Sequence, residues 1–184
     1  MHQLKASLVS VGLLAALVGA TVGLDGPGQD VARLDGPPVF GSVKERANAV
    51  TRKDWTFGTL MVCLDRPGRV EIRDVVPDGD LTVTGFATRP NPTARGELGV
   101  GSVAGTLEAQ GLSAQPLTLV CDGGGLNLHE VVVQLRAGER TTSTKGFTIH
   151  YESEGLRLQR YFEKEIILCV DEREGVCPWV GNAA

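Results

Sequence analysis

The chain is short of the residues on which most enzymes and metalloproteins rely. Among 184 residues there are three histidines, four cysteines, two tryptophans, two tyrosines and five phenylalanines. The histidines are His2, His129 and His150. No Gly-x-Ser-x-Gly stands anywhere; Gly99, Val100, Gly101 and Ser102 come nearest and are out of register, so a hydrolase nucleophile elbow is excluded. Asp122 precedes three glycines, but neither the Lys-Ser/Thr ending of a phosphate loop nor a following helix is there, so the stretch reads as a flexible turn. The cysteines show no C-x-x-C spacing, which removes a redox pair, a haem attachment site and a zinc half-site. Asn91 is followed by proline and is no glycosylation acceptor. Concentrated positive charge is missing too. Beyond Leu24 there are 17 cationic side chains against 22 acidic ones, a net of −5, which argues against nucleic acid as a partner.

What the chain does have is one long apolar run. Residues 6–24 contain no charge over 19 positions. As a helix they span roughly 28 Å, close to the ~30 Å of a bilayer's hydrocarbon core. Lys5 precedes the run and Asp25 and Asp30 follow it. That order keeps the amino terminus in the cytoplasm and sends the remainder outward. Two fates are open. Val18, Gly19 and Ala20 suit a signal peptidase, which would release a secreted chain after Ala20. Ala15, Gly19 and Gly23 instead form a small-residue face, four apart, that suits a retained helix. The retained anchor is the reading preferred here, with a single membrane pass and the carboxy-terminal domain outside. No cysteine closes the run, so lipoprotein-type attachment is not available.

An even number of cysteines in an exported chain reads as two disulfides. Cys63 with Cys121 and Cys169 with Cys177 is the preferred pairing, since the seven residues inside the second pair are enough to close a small loop. Cys63 with Cys169 and Cys121 with Cys177 is the next.

Residues 25–54 read as a linker and a short helix. Leu-Asp-Gly-Pro occurs twice, at 24–27 and 34–37, and resists regular structure. Residues 42–54 carry a capping box in Ser42 and Glu45, with Val43, Ala47 and Val50 on one helical face. From Trp55 the period becomes two. Strands are predicted at 57–64, 69–76, 80–88, 106–110, 116–121, 130–136, 145–153, 156–162 and 163–170, the last helical in part. Turns such as Asp65 to Gly68, Pro77 to Gly79 and Glu154 with Gly155 separate them. Residues 89–104 are too rich in Pro and Gly for an element and are expected to form a long surface loop.

The fold class expected is all-β, an Ig-like antiparallel β-sandwich of about seven to nine strands occupying 55–172, with a tail at 173–184. Membership of the immunoglobulin family does not follow. That family places a Tyr two residues before its second Cys, and Leu119 and Ile167 stand there; its Trp follows the first Cys, whereas Trp55 precedes Cys63.

The function expected is a binding or structural role outside a bacterial-type membrane. The partner would be a protein or envelope component met at 89–104 or on an exposed sheet. No enzyme, cofactor or metal is expected. The alternative is a copper-type envelope protein, which would need His129 or His150 together with a free thiolate. The preference for an anchor predicts that the protein extracted from membranes has an intact mass that includes residues 1–20. A mature chain beginning at Thr21 contradicts it.

Overall fold

The computed structural model describes residues 30–36, 45–49, 53–91, 103–123 and 127–170. The apolar run 6–24 and the tail 173–184 lie outside them, as does Cys177. Among the described residues no helix is long and apolar enough to cross a membrane.

Nine strands are present among these residues: β1 (Leu34–Asp35), β2 (Glu45–Asn48), β3 (Asp54–Leu64), β4 (Val70–Gly79), β5 (Thr82–Asn91), β6 (Val103–Ala104), β7 (Leu128–Arg136), β8 (Thr142–Ser153) and β9 (Leu156–Cys169). They form two sheets. The first has the order β1-β3-β7-β5, with β6 also on β3; the second has the order β2-β9-β8-β4. All neighbours are antiparallel except β2, which runs parallel to β9. A β-sandwich is therefore what the alternating pattern builds.

The core lies between the two sheets. Phe57, Leu60, Val62 and Leu64 of β3 and Val131, Val133 and Leu135 of β7 face Val70, Ile72 and Val75 of β4 and Phe147, Ile149 and Tyr151 of β8. Each such side chain, fully buried, contributes on the order of 1.5–3 kcal/mol. Strict alternation cannot put both Phe57 and Leu60 inside. A break in register between Gly58 and Leu60 resets the phase, and a second between Ile72 and Asp74 does the same for Val75. Between β8 and β9 the chain turns in two residues with positive φ, Glu154 at 48° and Gly155 at 82°. That handedness matches the twist of the strands it joins.

Several expectations are corrected. Residues 42–54 do not hold a helix: Glu45–Asn48 is a strand. Ala47 and Ala49 are buried in the core, and the Ala49 amide bonds the Cys169 carbonyl at 2.6 Å, so pairing with β9 overrides a local helical preference. The stretch read as linker also begins the sandwich earlier than Trp55, since Val31, Ala32 and Leu34 are all buried. Residues 106–110 form a turn and a short 3-10 helix (Glu108–Gln110) in place of a strand. Residues 116–121 make only isolated bridges, at Leu117 and Val120. The two strands expected at 156–162 and 163–170 are one, β9, with no helical part. Of the expected loop 89–104, residues 89–91 belong to β5 and 103–104 form β6; the rest lies outside the described residues.

Removing a ring from this core has a large expected effect. Phe147→Ala should cost about 3–5 kcal/mol of unfolding free energy, against within about 0.5 kcal/mol for the exposed Val76→Ala. Urea denaturation of the two variants measures both.

Candidate functional site

The two sheets differ in what covers their outer faces. On the first, Leu107 and Leu112 pack on Ala87 of β5 and Val132 of β7, and Gln134 of β7 accepts the Leu107 amide at 3.0 Å. The chain then passes round the β5 edge, where the Thr88 amide bonds the Ser113 carbonyl at 3.2 Å. It next crosses to the second sheet. Leu117 and Val70 exchange two backbone hydrogen bonds, at 2.8 and 3.1 Å, and Leu117 is buried in the core. Finally it returns to the first sheet, where the Leu64 amide bonds Leu119 and the Cys121 amide bonds Leu64, at 2.8 and 2.9 Å. Residues 105–121 thus form a strap that closes the β4/β5 side.

Two side-chain devices hold the strap. Cys63 of β3 is disulfide-bonded to Cys121, with 5.1 Å between their Cα atoms. This is the pairing preferred from sequence. Cys169 is disulfide-bonded as well, and Cys177 lies outside the described residues. The second device is His129 of β7. It is buried, and its Nε2 accepts the backbone amides of Thr118 at 2.9 Å and Leu119 at 3.1 Å. An accepting Nε2 puts the proton of the neutral ring on Nδ1, which is buried without a partner among the described residues. Burial pushes the His129 pKa below 6.5, which keeps Nε2 free to accept.

The outer face of the first sheet also holds a charged pair. Glu130 of β7 is fully buried, and one of its carboxylate oxygens accepts the Arg89 guanidinium from β5. Its other oxygen has no partner among the described residues. Only one side of the pair reaches solvent, through Arg89. A buried charge held this way is a structural commitment that fixes the β5–β7 register.

The outer face of the second sheet is different. Strand pairing sets Thr148 beside Tyr161, His150 beside Gln159, and Glu152 beside Arg157. With period two these share one face. Of these, His150, Glu152, Arg157 and Gln159, with Arg73 of β4 and with Tyr151 and Leu158, line an open groove of about 530 Å³. Arg73 is held by Glu71 and Glu152, each at 3.1 Å. The side chains of His150, Arg157 and Gln159 have no hydrogen bond or ion pair among the described residues. Tyr161 donates its hydroxyl to Asp78 Oδ2 at 3.3 Å. Desolvation, the Asp78 bond and the charges of Asp78 and Glu163 all raise the pKa of this phenol, so it stays a donor.

The structure does not bring the histidines together. His129 points into the core from the first sheet and His150 lies on the outer face of the second. With Cys63, Cys121 and Cys169 in disulfides, no thiolate is available among the described residues for a copper-type site. No group of three or more His, Cys, Asp or Glu able to hold a metal occurs among them either. The sequence reading passed over Arg73, Arg157, Gln159 and Tyr161, which share this outer face with His150. The alternation of Arg157, Gln159 and Tyr161 was the available signal. In comparison with known proteins, the chain matches no family model, no curated protein and no solved structure.

The His129 acceptor has a signed consequence. Its folded pKa is lowered, so its contribution is complete above about pH 6.5 and is lost as pH falls through the folded pKa. His129→Ala should cost about 2–4 kcal/mol at pH 8, since two amides lose their acceptor and a cavity opens. It should also flatten the decline of stability as pH falls below about 6.5. Denaturant titrations at several pH values measure both effects.

Proposed function

We propose that this chain is an extracytoplasmic, Ig-like binding module, tethered to the membrane by residues 6–24 and presenting the outer face of the β4–β8–β9 sheet to its partner. The Ig-like reading rests on strand order. Taking β1, β3, β4, β5, β7, β8 and β9 as A, B, C, D, E, F and G, the first sheet reads A-B-E-D and the second G-F-C, with β2 as an extra strand parallel to G. The disulfide departs from that pattern, since Cys63 on β3 is joined to the strap rather than to β8. The address rests on the apolar run, on the disulfides, which persist in oxidising compartments, and on the acidic balance of the remainder. A role in binding rather than catalysis fits a shallow groove on a flat sheet better than a deep cleft would.

The observation that carries the proposal is the asymmetry of the two outer faces. One is covered by the strap, while the other carries polar side chains that the fold itself does not use. His150 is half-buried while Arg157 and Gln159 are exposed, so a ligand here would take the place of the water that now bonds them.

Site-specific photocrosslinking in cells tests this reading. A benzophenone side chain at position 159, on the open face, should give a light-dependent adduct. The same group at position 108, in the strap, should not. Equal yields from both positions, or none from 159, contradict the proposal.

A further inference from the structure

The placement of Tyr161 narrows the class of ligand. Its side chain leaves β9 and lies across β8 at Gly146, where an added Cβ would run into the ring's Cζ and Oη atoms. The hydroxyl then reaches Asp78 of β4. The side chain therefore runs from β9 over Gly146 of β8 toward Asp78 of β4. Yet it is 48 % exposed, which is unusual for so large a side chain pinned at its far end. Gly146 is what makes room for it. Thr148 pairs with Tyr161 and with Val76, which is itself 40 % exposed, so an apolar margin lies beside the ring. One step further along the same face stand His150 and Gln159, and one step beyond them Glu152 and Arg157. From Gly146 to Glu152 the face is about 20 Å long.

A half-exposed aromatic ring on the same face as unspent hydrogen-bonding groups suits a ligand with two kinds of surface. One surface must be apolar and flat enough to stack, and the rest must offer many donors and acceptors. A sugar ring has both, in its axial C–H face and its hydroxyls. The charges on the face are of both signs. Asp78 and Glu163 stand near the ring, Arg157 stands at the far end, and Arg73 is balanced by Glu71 and Glu152. A polyanion or polycation would meet repulsion at one end or the other. We infer that this face binds a neutral oligosaccharide, with Tyr161 as the stacking platform and His150, Gln159 and Arg157 as hydrogen-bonding groups for its hydroxyls. The inference rests on the reading of this face as the binding surface and adds the class of ligand.

The test uses the full chain in detergent micelles and titrates cellotetraose, chitotetraose and mannotetraose by calorimetry. At least one should bind with a Kd below about 10 mM. Tyr161→Ala should weaken that binding about tenfold or more, while Tyr161→Trp, which restores a stacking face, should stay within about threefold of the parent. Urea denaturation of both variants checks that they remain folded. Failure of all three sugars to bind, or undiminished binding by a folded Tyr161→Ala variant, overturns the inference. The crosslinking result separates the two failures. An adduct from position 159 that contains a protein and no glycan, with no sugar binding, ends the oligosaccharide inference and leaves the binding face standing. No adduct and no sugar binding removes both.

Discussion

The crossing of residues 117–121 between the two sheets is the contact on which the rest of this structure depends. A sandwich of two twisted sheets has four exposed edges, and each is a row of unpaired backbone groups. On the β4/β5 side one segment meets that need at both edges. It bonds Thr88 of β5, then Val70 of β4, then Leu64 at the end of β3. Because Leu117 also enters the core, the strap couples backbone pairing to apolar burial. The disulfide and His129 both bear on this one segment, the first covalently from β3 and the second by hydrogen bonds from β7. Closing a loop of 58 residues removes conformational freedom from the unfolded chain, on the order of 4 kcal/mol in the loop-entropy picture.

The strap also explains the division of labour between the faces. Its first half, around Leu107 and Leu112, is spent on the outer face of the first sheet. Among the described residues no such segment covers the outer face of the second sheet, and polar side chains gather there instead of an apolar cluster. The exception is the end of β9, where Ile167 and Cys169 are buried on the outer side. A binding surface on a rigid sheet costs little ordering entropy when a ligand arrives, which favours side chains such as Tyr161 that the fold already holds in place.

Much of the fold was legible in the sequence, and the misses share a cause. Alternation in 69–76, 130–136 and 145–153 identified β4, β7 and β8; one face of β4 and of β8 is largely buried and the other is not, while β7 is buried on both faces over 128–133 and still keeps the period through Val131, Val133 and Leu135. The pairing of Cys63 with Cys121 was the preferred one of those that an even cysteine count allows, and the structure has it. By contrast β2 is four residues long, and its composition favours a helix; only the edge of β9 makes it a strand. The strap bonds single residues on separate strands, so it leaves no period to detect. Tyr161 was missed for a similar reason. Its posture depends on the absence of a side chain at Gly146, on a different strand, and on Asp78, on a third. Features set by pairs distant in sequence are not carried by any local pattern.

Amide hydrogen exchange of the full chain tests the central claim most directly. If the strap is an integral bridge between the sheets, the amides of Leu117, Cys121, Leu64 and Val70 exchange as slowly as those of Val131 and Val133 at the centre of β7, through the same global opening. Exchange of Leu117 and Cys121 at the rate of an exposed loop, with β7 still protected, would contradict it.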